Sequence, residues 1–275
     1  MKLLINYSKY REYPAIHYSL LSALSKRPDS ILNKDNVSTD AMNLGSIVDT
    51  MLTYPDNFKT DYYIIKEEKP TATHLYLYNE LIETISEYDE KDIVQKALEI
   101  IESKGFWKTT KNKDLLHKKV TDSSILPCIQ EHFKAKGKIK IYQESFEKAK
   151  ELVDILKIHP FTSKYFVTDA SKEILFQVPI VFKEYKVLLD GIIVDQWNKT
   201  ITPFDLKTQQ DSTFSFPSKI YRWRYDIQAA LYSEGVKHFV DANFKGFTIS
   251  PFVFVVGSFS TPTKPLVFDA TNIIE

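Results

Sequence analysis

From Lys172 to Thr208 the chain runs through three apolar, β-branched segments, KEILFQVPIVF, YKVLLDGIIVDQ and TITPFDLKT, with a period of two. That pattern belongs to strands with a buried face. Two carboxylates interrupt it, Asp190 within LLDGIIV and Asp205 between Phe204 and Leu206. An uncompensated carboxylate in apolar surroundings is costly, so these two positions restrict both the fold and its purpose. Asn198 and Lys199 supply turn chemistry between the second and third segments. A turn centred between Trp197 and Asn198 sets Asp195 against Thr200, Val194 against Ile201, and Asp190 against Asp205. Directly opposed side chains of an antiparallel pair lie about 5 Å apart on one face. Lys207, two residues beyond Asp205, shares that face.

Two carboxylates held so close repel each other unless a cation neutralises them. Oxygen ligands on a rigid hairpin suit Mg²⁺ or Mn²⁺, which keep several waters and accept a phosphate oxygen. Such an ion lowers the pKa of a bound water and offsets charge developing on phosphate. Lys207 would orient or activate that water, or add positive charge beside the reacting phosphate. Asp190, Asp205 and Lys207 are therefore the candidate catalytic residues, for metal-assisted cleavage of a phosphodiester. An Asp-x-Lys tripeptide by itself is common; the apolar flanks of both aspartates set this one apart.

The rest of the chain reads as helices around these strands. Helical patterns cover 18–26, a segment from the Ser38-Thr39-Asp40 cap to Pro55, then 74–104, 143–158 and 219–236, and FTISPFVFVVGSF is a last strand. The order predicts an α/β core with a helical N-terminal part. Residues 104–119 hold six lysines and one acid with Phe106 and Trp107, which suits either a solvated surface or a patch that tracks phosphates. Glu173 lies too far along its strand to join the carboxylates. Lys and Arg together number 36, as do Asp and Glu, so net charge indicates no partner. With 7 glycines the chain has neither a GxGxxG nor a GxxxxGK[ST] loop, and hence no ATPase motor of its own. Cys128 is the sole cysteine, which excludes a disulfide framework and a cysteine-based zinc site. The opening MKLLINYSKYREY lacks the apolar run of a secretion signal and no stretch reaches a membrane span, so a cytoplasmic protein without a membrane partner is expected.

LLDGIIV followed by FDLKT resembles the core signature of PD-(D/E)xK nucleases. YRWRYDIQAALYSEGV resembles the Q-x-x-x-Y helix of their RecB-type branch, with Gln228 and Tyr232 in the two motif positions. Upstream, HYSLLSALSKRP and AMNLGSIVDTMLTYPDNF are similar to phage and prophage exonuclease VIII (RecE-type) proteins, and the likeness keeps its order from about residue 17 to 260. It implies a restriction-endonuclease-like core, a mixed sheet flanked by helices, within a single nuclease domain over 1–275. Residues 1–160 would be its mainly helical part, and 161–275 the catalytic sheet and Q-x-x-x-Y helix. RecB-type relatives often carry a metal-binding histidine at the end of an LGxxxH segment; here LGSIVD places Asp49 there, a competent ligand for hard cations, with Gly45 and Ser46 one turn before it. The implied metal set is Asp49, Asp190 and Asp205. Arg222, Arg224, Gln228 and Tyr232 form the implied DNA-binding set, with Arg224 on the helix face of the other two. The implied activity is Mg²⁺-dependent (or Mn²⁺-dependent) exonuclease digestion at duplex DNA ends in phage-type recombination. Assembly as a ring-shaped homo-oligomer and handover to a single-strand annealing protein go with it. A restriction-type or structure-selective endonuclease and a catalytically silent DNA-binding protein remain alternatives on the same fold.

Overall fold

In the computed structural model the alternating segments form consecutive antiparallel strands. The structure describes residues 7–26, 40–67, 70, 72–107, 110, 112–121, 123, 125–135, 137–260 and 264–274. Ser38 and Thr39 of the expected helix cap, and Lys108 and Lys111 of the lysine-rich segment, lie outside the described residues. Two compact units are present, one built from Met1–Pro55 and Lys148–Glu275, the other from the intervening Asp56–Glu147.

In chain order α1 (Tyr7–Glu12), α2 (Tyr18–Lys26) and α3 (Asp40–Thr53) come first. Next come α4 (Pro55–Asp61), whose first residue ends the preceding segment, and, within the intervening unit, β1 (Tyr62–Ile65), α5 (Ala72–Thr84), α6 (Glu90–Lys104), α7 (Lys113–Thr121), α8 (Ile125–Lys134) and β2 (Ile139–Tyr142). Then α9 (Gln143–Ile158) leads into β3 (Lys172–Phe182), β4 (Tyr185–Asp195) and β5 (Thr200–Gln209). The chain closes with α10 (Phe216–Trp223), α11 (Tyr225–Asn243), β6 (Thr248–Ile249), β7 (Val253–Ser258), β8 (Leu266–Asp269) and α12 (Thr271–Ile274).

The intervening unit pairs β1 and β2 in parallel and packs α5 to α8 around Leu77, Leu81, Ile93, Ile125 and Ile129. The single helical stretch expected over 74–104 is two helices, because Asp89 caps α6 by accepting from the backbone N–H of Lys91 and Asp92. Phe106 and Trp107 pack against this core, so the aromatics of the lysine-rich segment are structural.

The larger unit is an α/β core with a mixed sheet of order β3-β4-β5-β7-β8, with β6 beside β5. β3, β4 and β5 run antiparallel, β7 lies parallel to β5, and β8 is antiparallel to β7. The crossover from β5 to β7 is made by α10 and α11, as parallel neighbours require. Val236, Phe239 and Val240 of α11 join Ile180, Val187, Ile201, Phe254 and Val256 in the main core. Gly257, adjacent to Val256 along β7, meets Leu152 of α9 instead, so helices flank both faces. Among the described residues no helix is long and apolar enough to cross a membrane.

The β4–β5 hairpin has the register set by its turn, with Asp195 opposite Thr200 and Gly191 opposite Phe204. The turn is held largely by Asp195, whose carboxylate accepts from the backbone N–H of Trp197 and Asn198 and from the Asn198 amide. The ladder ends at Gly191; at Asp190 the strands part. The β3–β4 pairing is also interrupted there, between Phe176–Gly191 and Val178–Leu189. Gln177, which falls opposite Asp190, has φ +49°. Across this break the core alternation slips by one on both strands. Val178 and Ile180 on β3 and Val187 and Leu189 on β4 join the main core, and past the break so do Leu175, Ile192 and Val194. Asp190 thus sits where the period of two is suspended on both strands. The turn at Lys183-Glu184 puts residue 177 at this level.

Gly191 is required by its neighbour. A Cβ there would stand 2.1 Å from Cζ of Phe204, a fully buried ring that also meets Tyr165 and Phe166 edge-on. Overpacking at such a site costs about 1–3 kcal/mol. Gly191→Ala is accordingly expected to lower the unfolding free energy by about that much in urea titration; an unchanged midpoint would show that the ring has room to move.

Candidate active site

Four elements of the larger unit bring polar side chains to the level of the strand break. β4 contributes Asp190, β5 contributes Asp205 and Lys207, α3 contributes Asp49, and β3 contributes Gln177. Where the β4–β5 ladder stops, the Asp190 carboxylate takes over the role of a backbone partner: its Oδ2 accepts the N–H of Leu206 at 2.7 Å. Asp205, 3% exposed, accepts at Oδ1 from the Gln228 amide of α11 at 2.7 Å and pairs at Oδ2 with Lys207. Asp49 receives the Gln177 amide on both oxygens, at 3.2 and 3.0 Å. Helix α3 comes this close because Gly45 has no side chain; a Cβ there would lie 2.8 Å from Oγ1 of Thr208. The result is a cavity of about 430 Å³ between α3 and the strands, lined by Gly45, Ser46, Asp49, Asp190, Lys207 and Thr208 among others.

Three carboxylates around one ammonium leave excess negative charge in a buried place. Burial, and then the charges of Asp205 and Asp49, push the Asp190 carboxyl well above the usual range. Burial and Asp205 raise Asp49 to about 6, against the opposing pull of Gln177 and Lys207. Asp205 is raised by burial although Lys207 and Gln228 act the other way. Burial works to lower Lys207, but Asp205, Tyr225 and Asp190 outweigh it and hold the lysine protonated. Its ammonium also lies 4.9 Å from the ring centre of Tyr225.

The all-oxygen, net-negative character of this cluster fits a hard divalent cation. Asp49 and Asp190 open together on the cavity, whereas Asp205 does not line it and is occupied by Lys207 and Gln228. Accordingly, among the described residues no three His, Cys, Asp or Glu side chains stand in a metal-holding arrangement. Of the expected set, Asp49, Asp190 and Asp205 are together electrostatically, and two of them share the open face.

The expected DNA-binding set is divided. Gln228 and Tyr232 are on one helix, as their spacing requires, but both are buried, at 3% and 8% exposure. Gln228 is a brace for Asp205 in this arrangement, and Tyr232 packs edge-on against Phe252. The expectation that Arg224 continues their helix is corrected. The helix breaks at Arg224, which adopts φ +59° between α10 and α11 and holds Asp226 through Nε and Nη2 at 3.1 and 3.0 Å. Arg222 lies in the last turn of α10. Gln177 escaped the sequence reading, although a single amide inside KEILFQVPIVF was its available signal. Tyr225, beneath Lys207, left no distinguishable trace.

Fold and site together define a PD-(D/E)xK-type α/β domain. The chain belongs to the family of PDDEXK-like domains of unknown function (DUF3799), whose profile matches residues 18–271. Among solved structures it is similar to a putative exonuclease from Eubacterium rectale, at 17% identity and a TM-score of 0.33, over 80% of this chain and 77% of the other. A search of curated proteins returned no match.

A raised carboxyl pKa in the folded state means that stability falls as pH climbs above the unfolded value near 4. Asp190→Asn keeps an acceptor for Leu206 and removes the charge. In chelator it is expected to raise Tm by on the order of a few degrees at about pH 9. The gain should shrink towards about pH 4, where the native carboxyl carries its proton. Equal melting curves across that range would show that the cluster carries no electrostatic strain.

Proposed function

We propose that this chain is a divalent-metal-dependent DNA nuclease, an exonuclease that digests duplex DNA from its ends. The observation that carries the reading is the shared opening of Asp49, Asp190 and Lys207 on one cavity, with Asp205 fixed behind them by Gln228. Asp190 and Asp49 would hold Mg²⁺ or Mn²⁺, and the charge of Asp205 behind them would add to the attraction. That ion supplies a water of lowered pKa and a counter-charge for a phosphate oxygen. Lys207, held protonated beside Asp205, donates hydrogen bonds to the phosphate and offsets charge as the phosphorus–oxygen bond breaks. Asp205 keeps that ammonium aimed, and Gln228 keeps Asp205 from turning away. Gln177 does the same for Asp49. Apolar packing under the site, from Phe204 to Phe254, keeps the charges in surroundings of low polarity, where each is worth more than in water.

The likeness to RecE-type proteins, carried by two upstream segments and keeping its order from about residue 17 to 260, supports the finer reading. It comprises cytoplasmic end-processing in phage-type recombination, a ring of several copies, and a single-strand annealing protein as partner. Arg222 and Arg224 are the proposed phosphate contacts; Arg224 would have to share its guanidinium with Asp226.

Digestion of linear duplex labelled at either end, beside a closed circle of the same sequence, tests the reading. The expected result is Mg²⁺-dependent shortening of the linear DNA from its ends with the circle intact. Asp205→Ala and Lys207→Ala should each slow cleavage by on the order of 10²–10³-fold or more. Cutting of the circle would make the chain an endonuclease, and wild-type rates in either variant would remove Asp205 and Lys207 from the chemistry.

A further inference from the structure

Beside the proposed catalytic lysine lies a cationic, aromatic patch of which the reading above uses only Arg222. Trp223, the last residue of α10, is 47% exposed. Lys26 of α2 and Arg222 place their charges 5.0 and 5.4 Å from the centre of its indole ring. Among the described residues neither cation forms an ion pair. Partial burial first, then Arg224 and Arg222, push the Lys26 ammonium below its ordinary value, as crowded like charges do. The patch is tied to the active site through Tyr18. Its hydroxyl donates to the Trp223 carbonyl at 2.6 Å, and the same side chain lies in the electrostatic field of Lys207 and Asp205.

Cations gathered at a half-open indole, with Asp226 in their field but itself held by Arg224, are suited to an anion that carries a flat ring. A stretch of single-stranded DNA offers both, phosphate for Lys26 and Arg222 and an unstacked base for Trp223. Duplex DNA offers the phosphates but keeps its base faces covered. From this we infer that Trp223, with Lys26 and Arg222, forms a stacking subsite for an unpaired nucleotide next to the scissile position. The enzyme therefore takes DNA ends that present single-stranded nucleotides. The inference rests on the nuclease reading for the nature of its substrate.

Tryptophan fluorescence tests it, because the chain has three tryptophans, Trp107, Trp197 and Trp223. In a Trp107→Phe, Trp197→Phe background, Trp223 alone reports. In chelator, an oligothymidylate of about a dozen nucleotides should quench Trp223 saturably. An abasic strand of equal length or a blunt duplex should quench far less. Trp223→Ala should weaken oligothymidylate binding, read by anisotropy, roughly tenfold, and Trp223→Phe should restore part of the loss. Lys26→Ala and Arg222→Ala should each flatten the salt dependence by about one unit of slope or less. Equal quenching by all three DNAs would overturn the inference, as would oligothymidylate binding that leaves Trp223 unquenched and survives Trp223→Ala. Quenching that follows protein concentration without DNA would assign the patch to a second copy of the chain and likewise overturn it. The underlying reading is read separately, by hydrolysis of linear duplex in Mg²⁺. Base-dependent quenching without hydrolysis contradicts the nuclease reading alone, and hydrolysis with an unresponsive Trp223 contradicts the subsite alone.

Discussion

The buried Asp205–Lys207 pair, with Asp190 and Asp49 around it, is the interaction that the larger unit is arranged to tolerate. Removing charges from water is costly, and one ammonium cannot satisfy three carboxylates. Each carboxylate is therefore given a fixed hydrogen-bond donor from a different element: Leu206 N–H for Asp190, the Gln228 amide for Asp205 and the Gln177 amide for Asp49. These donors come at some conformational expense. Gln177 adopts φ +49° within a strand, and the ladders on both sides of Asp190 are interrupted. Unfavourable backbone of this kind persists where surrounding structure holds it, and it gathers at functional sites. Here it is held by a resumed register on β3 and β4 and by the Phe204 ring seated on Gly191.

Excess negative charge and an open cavity make sense together. Filled pairs would have been neutral and sealed; here Asp49 and Asp190 line the cavity with their affinity for protons raised. A dication would relieve that strain, and the energy of relief is then available for binding it. The PDDEXK-like family to which the chain belongs accounts for the architecture, while the particular arrangement of amides around the carboxylates is read from this chain.

Much of the core hairpin was legible because two signals agreed, the period of two and the turn at Trp197-Asn198. Together they set Gly191 against Phe204 without reference to anything distant. The slip at Gln177 and Asp190 was not legible. Both strands shift at once, so each half still reads as a good strand, and only the lone amide in an apolar run marks the place. Arg224 was misplaced because nothing in YRWRYDIQ announces a left-handed residue; glycine usually does so, and here an arginine fixed by Asp226 takes the position. The direction in which Gln228 points was open for another reason. A helix face can be read from spacing, but whether that face meets solvent or a buried carboxylate is decided by packing far away in sequence. Strands β1 and β2 are short and pair across a long separation, with no turn between them to signal the contact.

The central claim is that Asp49 and Asp190 bind one hard dication in front of Lys207. Anomalous diffraction from crystals equilibrated with Mn²⁺ tests it most directly. The account requires one strong peak in the cavity, about 2.1–2.2 Å from a carboxylate oxygen of Asp190 and from one of Asp49. A peak bound to neither residue, or no peak at saturating Mn²⁺ while the cavity stays open, would contradict it.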